Sequence, residues 1–146
     1  MQWLMTSHVR RYHCHYGTSG HVWQKRYKSF IVEKDEHLLT IVRYIEGNPV
    51  RAGLVASAKD WVWSSHSERV GTGGKNLIRS LSLSIPVEWT DYVDTPLTVE
   101  ELEKVRRSVT RQAPYGGTKW QEQISKQLGI ETTMRPRGRP GREIKK

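Results

Sequence analysis

The sequence predicts an α+β fold, and two periodicities carry that prediction. Apolar residues recur every three to four positions through 1–16, 35–46, 98–113 and 118–128, as they do in helices that bury one stripe. Between the first two of these, residues 21–32 are rich in β-formers and follow the Gly/Ser turn at 17–20. They read as one or two short strands.

Each element has its own signals. Leu4, Met5, Val9, Tyr12 and Tyr16 mark the first helix, Gly17 ends it, and no capping residue precedes Met1. Asp35 is placed to cap the second, with Leu38, Val42 and Ile45 on one inward stripe. A further helical turn follows, with Asn48 as N-cap, Pro49 at the first position and Gly53 closing it. Trp61 and Trp63 share a side if that stretch is extended. Residues 67–97 lack a sustained period, carry several Gly and Ser, and read as a linker. Thr98 and Glu101 form a capping box with Leu97 and Leu102 as a staple, opening a helix that turns Leu102, Val105 and Val109 inward. Thr118 to Gln121 reads as a second box before the stripe Trp120, Ile124 and Leu128. Residues 98–130 thus form a helical hairpin, and 131–146 a basic tail expected to be disordered when free.

Charge narrows the function. Lys and Arg number 24 against 15 Asp and Glu, a formal +9, which favours a polyanionic partner, nucleic acid before membrane. No apolar run reaches the roughly 20 residues of a membrane span, and the single cysteine, Cys14, allows no intrachain disulfide and fits a reducing cytoplasm. Residues 132–146 hold six basic side chains and one acid, so the other 131 residues share only +4. Within that tail, Pro136-Arg137-Gly138-Arg139-Pro140 resembles an AT-hook core. Its glycine lets the backbone lie narrow in an A·T-rich minor groove while both guanidinium groups run along it. Arg135 and Arg142 extend the basic run.

Three blocks carry a broader resemblance: Trp23-Gln-Lys-Arg-Tyr-Lys-Ser-Phe30, Tyr44-Ile-Glu-Gly-Asn-Pro-Val-Arg-Ala-Gly-Leu-Val55 and Asp60-Trp-Val-Trp-Ser-Ser65. In this order they resemble the REP-associated tyrosine transposases, a branch of the single-tyrosine HUH transposases. The resemblance implies a ferredoxin-like palm, of which residues 1–66 would be the C-terminal part. It also implies that Tyr44 is the nucleophile on a DNA phosphodiester and that Asn48, four residues on, lies near the metal. A phenoxide suits that task because its phosphodiester link to DNA conserves the bond for rejoining. Lys25, Arg26 and Arg51, basic residues within these blocks, are candidate DNA contacts.

The family's metal site needs two histidines flanking one hydrophobic residue on a strand, holding Mg²⁺ or Mn²⁺ against the scissile phosphate. The resemblance places that strand ahead of the helix at Met1, so the chain is expected to be N-terminally truncated, to bind no metal and to be catalytically incomplete. His13-Cys14-His15 has the right letters, but side chains two apart on a helix diverge by about 200°. The expected function is a transposase-family protein that binds DNA hairpins or single-stranded ends. Its alternative is a non-enzymatic DNA-binding regulator built on the 98–130 hairpin and the hook. A third, an RNA-binding protein, rests on the aromatics around Trp23 and Tyr27.

Overall fold

The computed structural model describes residues 1–23, 28–73, 78, 81 and 83–135. Its centre is α2 (Glu36–Glu46), which starts where Asp35 accepts the His37 backbone N–H at 2.9 Å. Preceding it is α1 (Gln2–Tyr16), closed by Gly17 in the left-handed region; following it come α3 (Asn48–Arg51), a 3₁₀ turn (Ala58–Asp60) and α4 (His66–Arg69). Then follow α5 (Trp89–Asp94), α6 (Val99–Arg111), α7 (Thr118–Leu128) and a last 3₁₀ turn, Glu131–Thr133.

The single inward stripe expected on α2 is corrected: the helix feeds two cores. Val42 packs with Ala58, Trp89 and Val93, flanked by Leu38 and Leu39, whereas Ile41 packs with Val105 and Tyr115, flanked by Phe30, Val32 and Tyr44. Ile45 is 59% exposed. Apolar residues at 38, 39, 41 and 42 span too wide an arc for one face, so α2 is sandwiched and its third turn reaches solvent at Ile45. Full burial of a side chain such as Val42 or Val105 contributes about 1.5–3 kcal/mol.

The α+β expectation, and with it the ferredoxin-like palm, is overturned. The described residues form helices and no strand or sheet. Among the described residues, the β-forming stretch ending at Val32 pairs at one position. Val32 makes an isolated parallel bridge to Tyr115, framed by Glu33 N–H to Tyr115 O (2.9 Å) and Tyr115 N–H to Ile31 O (2.8 Å). A strand needs a ladder beside it, and 112–117 is a short connection between α6 and α7 that offers only this rung.

Three further elements differ from expectation. Asn48 is not an N-cap: it lies inside α3, whose cap is Gly47 in helical geometry, so α2 runs into α3 almost without a break. The joint needs glycine, since a Cβ at 47 would meet Arg43 O at 3.0 Å and Val93 O at 3.1 Å. The stretch expected as a linker contains α5, which buries Trp89 and Val93 at the heart of the first core. At α7 no Thr118 cap forms: Gly117 precedes the helix, and Gln121 Nε2 donates to Pro114 O at 2.8 Å. The box at Thr98 and Glu101 does form in both directions, and Val105 is fully buried.

The start of the basic tail is held rather than loose. Arg111 donates to the carbonyls of Thr132 and Thr133 (3.2 Å each) and of Arg135, and Arg107 donates to Met134 O. Among the described residues no helix is long and apolar enough to cross a membrane.

Candidate functional site

The last turn of α2 presents two polar constellations on different sides. The inner one is centred on Glu46, which is fully buried. Its Oε1 accepts from Ser65 Oγ (2.5 Å) and Arg69 Nε (2.8 Å), and its Oε2 from His66 Nδ1 (3.0 Å) and Trp89 Nε1 (2.8 Å). A carboxylate offers about four lone-pair sites, and all are filled. Because the carboxylate only accepts, His66 carries its proton on Nδ1, and Nε2 meets Thr90 Oγ1 at 3.0 Å. Burial alone would raise the Glu46 pKa. Hydrogen bonds from Ser65, Arg69 and Trp89, with the Arg69 charge, outweigh it and hold the carboxyl below its ordinary range.

Arg43 is a second buried tie. It donates to Thr95 O (2.7 Å) and Pro96 O (3.2 Å) and lies 4.4 Å over the Tyr92 ring, joining α2 to the α5–α6 connection. Ser57 Oγ and the Ala58 N–H both donate to Asp94, fastening the first 3₁₀ turn to α5.

The outer constellation brings Tyr44, Asn48 and Arg51 together. The Arg51 guanidinium sits 4.2 Å over the Tyr44 ring, and its Nη2 donates to Asn48 Oδ1 at 2.8 Å. Both Nη atoms also reach the Tyr44 carbonyl at 3.4 Å. Tyr44 is half-buried, with one side against the Ile41 core, while Asn48 and Arg51 are exposed. Arg51 has five N–H donors and two acceptors here, so it has capacity for an added anion. A neighbouring tyrosine, Tyr115, is buried; burial and then the Glu101 charge raise its pKa, which keeps that phenol protonated. Of these two phenols, Tyr44 is the less buried.

Comparison with known proteins adds one finding at this point. Over 50 residues the chain is 40% identical to the "Putative REP-associated tyrosine transposase" of Haemophilus influenzae. That match takes in 34% of this chain and 28% of the relative's length. No protein-family profile matches the chain, and no solved structure matches it.

Beside Tyr44, the Arg51 guanidinium disfavours a divalent ion at the Asn48 side-chain oxygen, because it already donates there and repels a second cation. Nor are the histidines of α1 a substitute. His13 closes the following turn through Thr18 Oγ1 (2.9 Å) and Gly20 O (3.0 Å), on a helix where His15 points elsewhere. Glu33, Asp35 and His37 do gather their ligand atoms within 4.8 Å, a grouping the sequence reading missed. Each has structural work there: Asp35 caps α2 and meets His37 Nδ1 at 2.8 Å, and Glu33 Oε2 takes the Gly117 N–H at 2.7 Å.

Of the residues singled out from sequence, Tyr44, Asn48 and Arg51 converge. Arg135 is exposed at the end of the Arg111 clasp, away from them in sequence and joined by its carbonyl. Lys25, Arg26, Arg137, Gly138, Arg139 and Arg142 lie outside the described residues. Glu46, His66, Arg69 and Trp89 were missed. Their one sequence signal was Ser64-Ser65-His66 following the tryptophans, since small hydroxyls before a helix commonly serve buried acceptors and caps.

Proposed function

We propose that the chain is a DNA-binding protein of the REP-associated tyrosine transposase type, with Tyr44 in the position of the strand-attacking nucleophile. One observation carries the reading: the half-exposed Tyr44 phenol lies under the Arg51 guanidinium and beside Asn48, within a block resembling that family. Arg51 would hold a backbone phosphate by charge-assisted hydrogen bonds, next to the phenol. The similarity to the Haemophilus influenzae protein supports DNA as the class of partner, and the forms we propose for it are hairpins and single-stranded ends. Because no His–hydrophobic–His strand stands among the described residues to serve Tyr44, the proposed activity is binding without strand cleavage.

The test is to incubate the full chain with end-labelled hairpin DNA and Mg²⁺ or Mn²⁺, then resolve the mixture under denaturing conditions. Binding without a covalent adduct is expected. An adduct that disappears in Tyr44→Phe would overturn the claim of inactivity and keep the nucleophile assignment. A second reading, a non-enzymatic regulator, has one observation in its favour: Lys104, Arg106 and Arg107 are all exposed on α6. Deleting residues 132–146 separates the two, since a hook-driven regulator loses most affinity and a binder centred on Tyr44 keeps it.

A further inference from the structure

Helix α1 is unlike the rest of the molecule. It buries no residue, and its rings pack on one another in the open rather than into a core. His8, Tyr12 and Tyr16 recur every four positions and so rise along one stripe. Tyr12 stacks at 29° to His8 with centroids 6.2 Å apart, and Tyr16 follows at 4.7 Å. Trp23, from beyond the turn, extends the ladder past His8 at 5.1 Å. Trp23, Tyr12 and Tyr16 remain 45%, 39% and 62% exposed. The helix also carries Arg11 at the edge of this stripe, with Arg10 on the opposite side, and has no acidic residue at all.

We infer that the ladder Trp23–His8–Tyr12–Tyr16 is a stacking platform for the bases of single-stranded DNA. The inference rests on the DNA-binding reading above and names a surface for it. Exposed aromatic rings beside Arg11 suit a strand that offers π-faces and phosphates together. Duplex DNA is a poor occupant, because its base faces are stacked on each other at about 3.4 Å per step and the rungs here are wider. A single strand can splay its bases to meet rungs of 4.7–6.2 Å.

Fluorescence anisotropy of the full chain with oligo-dT, a duplex of equal length and oligo-U at one salt concentration tests this. Tyr12→Ala/Tyr16→Ala should weaken oligo-dT binding by about 5- to 150-fold per ring, with little change on duplex. Tyr12→Phe/Tyr16→Phe should bind as the parent, and 5-bromodeoxyuridine photo-crosslinks should map to Tyr12, Tyr16 or Trp23. If the parent binds DNA and the alanine pair binds oligo-dT equally well, the ladder is wrong and the DNA-binding reading stands. An equal loss on duplex would also overturn stacking. Tighter binding of oligo-U than of oligo-dT would overturn DNA as the occupant. If the parent binds none of the DNAs, both readings fall.

Discussion

Glu46 and Tyr44 are two residues apart on α2, yet their surroundings differ completely. Glu46 is sealed, with every lone pair taken by a donor from α4, α5 or Ser65 just before α4. Tyr44 is propped on one side by the Ile41 core and covered on the other by a single exposed arginine. A buried charge with complete satisfaction fixes geometry, because any other arrangement strands a charged group. A half-open ring with one exposed cation above it is instead accessible to a ligand. The stretch that resembles a catalytic motif therefore divides into residues that build the shape (Arg43, Glu46, Gly47) and residues that face outward (Tyr44, Asn48, Arg51).

That division can be broken by mutation, most strongly on the sealed side. Glu46→Gln leaves Arg69 nearly buried without its counter-charge and should cost about 3–5 kcal/mol, read as a lowered denaturant midpoint. The same carboxylate sets an acid limit. Its folded pKa lies below the ordinary value of 4.5, so its contribution is complete above that value and is lost as pH falls through the folded one. A melting-temperature series from pH 6 to pH 3 should show that decline in the parent and less of it in Glu46→Gln. Gly47→Ala forces a Cβ against two backbone oxygens and should cost roughly 1–3 kcal/mol, again by denaturant titration.

The open side should respond weakly in stability and clearly in binding. Arg51→Ala removes an exposed cation–π contact of about 0.5–1 kcal/mol, while the slope of log affinity against log salt for DNA should fall by about one phosphate contact. Smallest of all, Tyr44→Phe should leave stability within about 0.5 kcal/mol and DNA affinity unchanged. A large destabilisation by Tyr44→Phe would mean that the hydroxyl belongs to the interior, and the contrast with Glu46 would disappear.

The helices were legible in sequence wherever a period and a cap coincided, as at Asp35 and at the Thr98–Glu101 box. The second core was not legible. A helix buried on two sides blurs its own stripe, so Leu38, Val42 and Ile45 seemed to be the inward set when Ile41 and Val42 divide that role. α5 escaped because six residues are too short for a period to show; only the pairing of Trp89 with Val93 hinted at it. The sheet was expected because residues 21–32 have β-forming side chains. Propensity describes fit to a pleated surface, and the neighbouring strand must come from elsewhere in the chain. Around the candidate site, Tyr44 and Arg51 were each marked, but their meeting about two turns apart depended on Gly47 passing from α2 into α3 in near-helical geometry.

One feature at the other end of the molecule limits where its positive charge can act. Arg111 clasps the carbonyls of Thr132, Thr133 and Arg135, so residue 135 leaves from a fixed post beside α6. Whatever the exposed Arg135 meets must therefore pass close by the C-terminal end of α6, as if moored there. Cutting the mooring with Arg111→Ala would release residues 132–135 while leaving the buried Val105 and Ser108 of α6 in place.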